Sequence, residues 1–160
     1  MATNFLWYTG ATAGTGLLSP VVSVLTTELN ALTNGSVATS TAGGSSGIFT
    51  NASVGQGIWA EAFFINGTQT ATVSSGGNIA GWFLTTPDAG TTVESKSVVP
   101  PRPPDFLIPM VTAATGAVFK AAGLVRLPAL EFYVLAQNNT GVTISTSGNI
   151  VKVAPVAVQY

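Results

Sequence analysis

Four prolines flank Arg102 in Pro100-Pro101-Arg102-Pro103-Pro104, and no regular element can run through them. Each proline lacks an N–H donor and fixes φ near −65°, which interrupts a helix and the interior of a sheet and holds the chain near polyproline II. The segment reads as a crossover between sheets.

On both sides of it the punctuation is that of strands, with turn signals every eight to fifteen residues beyond Ser36. Asn66-Gly67 predicts a two-residue hairpin joining 57–65 to 68–73, because both positions tolerate positive φ. Pro87-Asp88-Ala89-Gly90 separates a strand at 79–86 from one at 91–96, and turns at 138–141 and 147–149 bracket a short strand at 142–146. Further strands are expected at 106–110, 117–125, 131–137 and 150–158. One short helix is expected near 26–33, where Leu25, Leu29 and Leu32 repeat at helical spacing behind a Thr26 cap and Gly35 can terminate it.

The expected fold is all-β: a two-sheet antiparallel β-sandwich, a jelly roll by preference over an immunoglobulin-type arrangement, in a single domain with residues 1–20 as an extended N-terminal arm. A hydrophobic fraction of 46% is ample for a core. The Ser/Gly-rich stretch 40–47 is too short for a domain linker and reads as a surface loop.

Charged residues make up only 7% of the chain, against roughly 25% in an average soluble domain. With a formal net charge of −1, such a surface favours contact with other protein, and a homodimer or homotrimer is expected. The basic residues Lys96, Arg102, Lys120, Arg126 and Lys152 form no stripe that could neutralise phosphates, so no nucleic-acid partner is expected. Every apolar stretch is too short to span a bilayer as a helix, and no membrane partner is expected either. The N-terminus lacks the positive region that opens a secretory signal and reads as an unprocessed start.

Histidine and cysteine are absent, which removes the usual general base, the usual metal ligand and the strongest nucleophile. Six carboxylates remain: Glu28, Glu61, Asp88, Glu94, Asp105 and Glu131. Two of them brought together could hydrolyse a glycoside, but simpler roles are available, Asp88 as a turn-former and Asp105 as the ionic partner of Arg102. No metal-binding or phosphate-cradling motif occurs, so neither catalytic residues nor cofactors nor metals are expected. The sequons at Asn34, Asn51, Asn66 and Asn138 are what an Asn/Ser/Thr-rich chain generates by chance.

Trp59, Trp82 and Tyr133 are the candidates for a sugar-stacking platform, with packing in a core or a subunit interface as the commoner use of such residues. Trp59 shares its strand parity with Glu61 and Phe63 and should face outward. Candidate protein-interface residues are Phe5, Leu6, Trp7 and Tyr8, four consecutive large apolar side chains in the arm, and Arg102 and Asp105, which a rigid polyproline spacer would present at little entropic cost. The alternative for Phe5 to Tyr8 is an edge strand of the domain itself.

The segments LTTELNAL (25–32), GIFTNASVGQGIWAEAFF (47–64), NIAGWFLTTPDAGTTVE (78–94), RPPDFLIPM (102–110) and LPALEFYVLAQNNTGVTISTSGN (127–149), taken in order, resemble a group of small tailed-bacteriophage virion proteins, the capsid cement or decoration proteins. The resemblance implies a β-rich structural protein without catalysis. Such a protein is made in the host cytoplasm, sits on the outer capsid surface of the virion as a dimer or trimer, and braces the shell by binding the major capsid protein lattice. The alternative function is a carbohydrate-binding jelly-roll module or a phage tail adhesin, and a hydrolase using a carboxylate pair is the third.

Overall fold

Strands β5 (Asn78–Thr86) and β9 (Glu131–Asn139) pair antiparallel along their full length, and most residues of both are buried, in unbroken runs of five or six. Alternation fails in them because both of their faces are covered. A computed structural model of the chain describes residues 5–6, 21–41, 47–50, 59–69, 71–88 and 90–158. Around the central pair lie β1 (Phe5–Leu6), β2 (Val22–Leu25), β3 (Val37–Thr39), β4 (Trp59–Ile65), β6 (Phe106–Pro109), β7 (Val118–Lys120), β8 (Val125–Arg126) and β10 (Ile150–Val158).

They form two antiparallel sheets packed face to face, a β-sandwich. In the first, β10 and β4 are central, with β2 and β1 on the outer edge of β10 and β7 and β8 on the outer edge of β4. The second runs β3-β9-β5-β6. Some of the pairings are nested, β2 with β10, β3 with β9, β4 with β7 and β8, and β5 with β6, while the longest ladders, β4 with β10 and β5 with β9, join them within each sheet.

The core between the sheets takes Ala60, Ala62 and Phe64 from β4, Val151 and Val153 from β10, Ile79 and Phe83 from β5, and Phe132 and Val134 from β9. Phe83 meets Phe132 nearly edge-on, with ring centroids 5.2 Å apart, and Phe106 at 5.6 Å. Burial of large side chains such as Phe64 and Phe132 contributes about 1.5 to 3 kcal/mol each. Gly81 lies in the middle of β5 because the Phe106 ring occupies the space its Cβ would take, 1.9 Å from the ring's Cζ.

A second, smaller cluster covers the outer face of the β3-β9-β5-β6 sheet, where Ala80, Trp82, Leu84, Tyr133 and Leu135 pack with Val37, Ile48, Val93 and Val99. The connection 87–105 supplies this cover. Its Lys96 Nζ sits 3.5 Å from the centre of the Tyr133 ring, and Trp82 Nε1 donates to the Arg102 carbonyl at 3.1 Å.

Several local expectations are corrected. Residues 26–33 form turns instead of a helix: Asn30 N–H bonds to Thr27 O, Leu32 N–H to Leu29 O, and Ala31, at φ 57°, donates across the molecule to Ser145 O. Two turns of helix are marginal alone, and a tertiary partner, Ser145 O, took the Ala31 donor. Asn66-Gly67 makes no hairpin, since β4 pairs instead with β10, β7 and β8 and the described part of 68–73 contains no strand. Gly67 is required by crowding, with Ser147 O 1.9 Å from the position of its Cβ.

The expected strands at 91–96 and 142–146 are irregular, their backbones serving as cover and loop, and 117–125 divides into β7 and β8 around a bend at 122–123. Pro100–Pro104 is no crossover between sheets. It lies in the connection between β5 and β6, which are paired in one sheet, and the next change of sheet falls at 110–117, between β6 and β7.

Candidate functional site

Of the residues singled out from the sequence, Arg102 and Asp105 are brought together by the fold. Arg102 Nη1 donates to Asp105 Oδ2 at 2.9 Å, and Nη2 reaches the Phe83 carbonyl at 2.9 Å and Glu94 Oε2 at 3.4 Å. Asp105 Oδ2 also accepts the Phe83 N–H at 2.7 Å, while the Asp105 N–H donates to Gly81 O at 2.8 Å.

The β5–β6 ladder ends at Gly81–Phe106, and there the two charged side chains take over, one accepting from and one donating to the Phe83 backbone. Prolines cannot continue a ladder, so this substitution satisfies an edge they leave open. Partial burial pushes the Arg102 guanidinium down, but the hydrogen bond and charge of Asp105, with those of Glu94, hold its pKa above the ordinary value. A cleft of about 350 Å³ opens beside the pair, with Phe83, Leu127 and Pro128 in its wall and Arg126 joining Glu94, Arg102 and Asp105 on its rim.

The other sequence candidates are dispersed. Phe5 and Leu6 form an edge strand whose backbone pairs with Val158 and Ala157, and Trp7 and Tyr8 lie outside the described residues, as does most of the arm. The three aromatics weighed as a sugar platform do not share a surface. Trp82 and Tyr133 are buried beneath the 87–105 cover, and Trp59, 38% exposed, faces outward on the opposite sheet. Asp88 is a turn-former, its Oδ1 accepting from Thr92 N–H at 2.7 Å and Thr86 Oγ1 at 3.1 Å.

Glu94 and Asp105 are brought to one guanidinium, and each forms an ion pair with it. Among the described residues no three acidic side chains gather as a metal site, and no helix is long and apolar enough to cross a membrane.

A site that sequence reasoning missed lies at one end of the sandwich. The antiparallel registers bring four loops there, comprising 29–36, 66–77, 110–117 and 140–149, and none contains a charged residue. Asn138, fully buried, donates from Nδ2 to Leu32 O at 2.8 Å and Val142 O at 2.7 Å, and its Oδ1 accepts from Thr140 N–H at 3.0 Å and Thr140 Oγ1 at 2.6 Å. Asn149, also fully buried, donates to Asn30 Oδ1 at 2.9 Å and Ser145 O at 2.7 Å, and accepts from Gly67 N–H at 3.0 Å.

Gln69 bonds Thr143 O and Ser145 N–H, Asn34 Oδ1 accepts from Gly141 N–H, and Thr112 Oγ1 accepts from Val73 N–H. The four loops are thus cross-linked by neutral side chains. The chain matches no family model, no curated protein and no solved structure. The physical character of this end therefore carries the functional argument. It has fixed loops, neutral polar groups and an exposed Val111, 62% accessible. Its sequence signal was available in the four charge-free blocks, whose convergence only the strand order reveals.

Glu28 ties the turn after β2 to Thr41, two residues beyond β3. Its Oε1 accepts from Thr41 Oγ1 at 2.6 Å and Thr41 N–H at 2.7 Å, and Oε2 from Thr26 N–H at 2.6 Å. Partial burial pushes this carboxyl up, and the hydrogen bonds from Thr41 and then Thr26 outweigh it, lowering its pKa to about 2.

Proposed function

We propose that this protein is a structural virion protein that decorates and cements a tailed-phage capsid by binding the major capsid protein lattice from outside. The nested pairing of its strands is read here as the winding of a jelly roll. The observation that carries the proposal is the loop end just described. Interface cores are depleted of charge, and loops already cross-linked by side chains lose little conformational entropy on docking. The resemblance of five segments to cement proteins points the same way. A bound protein that prefers the assembled shell to its separated subunits stabilises it by mass action, and many copies act together through avidity.

The test is binding of purified protein to shells that lack it, measured by co-sedimentation. Val111→Lys combined with Ala114→Lys places two charges on the exposed loop surface. The variant is expected to bind at least about tenfold more weakly with its melting temperature nearly unchanged, because each desolvated charge costs more than the roughly 1.4 kcal/mol that a decade requires. Failure of the parent to bind shells, or equal binding by the variant, would overturn the proposal.

A further inference from the structure

The sandwich is electrostatically two-sided. All five basic and six acidic side chains lie on described residues, so the charge distribution is complete. On the outer face of the β10–β4 sheet the register sets Lys152, Phe63 and Lys120 in one row and Ile150, Ile65 and Val118 in the next, with Trp59 and Arg126 paired at the border. Glu61, 3.5 Å from Lys120, is the one carboxylate among them. Trp59 is 38% and Val118 56% exposed, so the face is cationic with apolar side chains between the charges.

The opposite side of the molecule, formed by the 87–105 cover and the start of β9, carries Asp88, Glu94, Asp105 and Glu131. Its two cations are already engaged, Arg102 by Asp105 and Glu94 and Lys96 over the Tyr133 ring, and Arg126, at the border between the two faces, shares a cleft with Glu94 and Asp105. Here too large apolar side chains are exposed, with Val98 60% and Leu107 48% accessible.

We infer that copies of this chain associate through unlike faces, the cationic outer face of the β10–β4 sheet of one copy against the acidic cover of the next. Charge complementarity selects this arrangement. A two-fold contact through the cationic face would set Lys120 and Lys152 of both copies against each other, and like charges juxtaposed across an interface are costly. A head-to-tail contact brings opposite signs together around apolar centres, and it closes into a ring where the rotation permits. Both faces are the broad sides of the sandwich and leave the charge-free loop end unobstructed, so this contact stands whether or not the protein binds a shell.

The experiment uses the full chain without capsid. One variant, Lys120→Glu with Lys152→Glu, reverses the cationic face. A second, Val98→Lys with Glu131→Lys, reverses the acidic one. At tens of micromolar and low salt the parent is expected to sediment above its 16.2 kDa monomer mass, with the association falling as salt shortens the Debye length from about 10 Å at 0.1 M. Each variant alone is expected to be monomeric. An equimolar mixture is expected to associate again, because each partner retains the face the other has lost and the two reversed faces are themselves of opposite sign. That rescue also shows that neither variant is merely misfolded. A monomeric parent, an associating Lys120→Glu/Lys152→Glu variant, or a mixture that remains monomeric would overturn the inference.

Discussion

The Asp105 carboxylate accepts the Phe83 backbone N–H at 2.7 Å, standing in for a strand at the point where β6 stops pairing with β5. Asp105 is therefore joined to the sheet as well as to Arg102. Asp105→Ala leaves the Phe83 donor and the Arg102 guanidinium without this acceptor and is expected to lower stability by about 2 to 3 kcal/mol, read by urea denaturation. Arg102→Ala is expected to cost about 1 to 2 kcal/mol, since Asp105 then still satisfies Phe83. The double variant should cost less than the sum, with a coupling of at least about 0.5 kcal/mol. Strict additivity would show that the two side chains act separately.

Gly81→Ala is expected to destabilise by about 1 to 3 kcal/mol, since the added methyl falls inside the Phe106 ring. The test is a pair of thermal melts, in which Phe106→Leu in the Gly81→Ala background recovers part of the loss although the same change weakens the parent. No recovery would place the strain elsewhere.

Asn138→Leu removes an amide with four hydrogen bonds from a fully buried position and leaves Leu32 O, Val142 O and the Thr140 groups to find other partners. A loss of about 3 kcal/mol or more is expected in chemical denaturation. Hydrogen exchange should quicken first at Thr140 and Val142. Unchanged exchange there would remove Asn138 from the role of loop anchor.

Glu28 titrates lower in the folded protein than in the unfolded chain, so the unfolded state binds the proton first as pH falls. Its contribution is therefore complete above the usual carboxylate range and is lost between about pH 4.5 and about 2. After allowance for solvent exposure it amounts to about 1 to 2 kcal/mol. The parent is expected to lose stability over that window, whereas Glu28→Gln should be weaker at neutral pH and flatter below 4.5. Parallel pH profiles would exclude Glu28 as the source.

Strand existence was legible where polarity alternates or apolar runs are long: β4, β5, β9 and β10 fall close to where the pattern puts them, and Trp59 faces out as its parity requires. The ionic pairing of Arg102 with Asp105 and the turn at Asp88 were legible too, because both depend on neighbours three or four residues away. Leu25, Leu29 and Leu32 misled because helical spacing and a buried turn present the same periodicity over so few residues.

By itself, then, the sequence determined the class of the fold, two β-sheets rather than helices, and the local chemistry of its turns, since both follow from interactions between residues near in the chain. Tertiary structure decided what depends on distant partners. It hid Trp82 and Tyr133 under the proline-rich connection, turned Asn66-Gly67 from a hairpin into a crowded loop, and gathered four neutral loops at one end and opposite charges on two faces. These outcomes turn on strand order, and strand order is fixed by the summed burial of both sheet faces, a quantity that no short window of sequence contains.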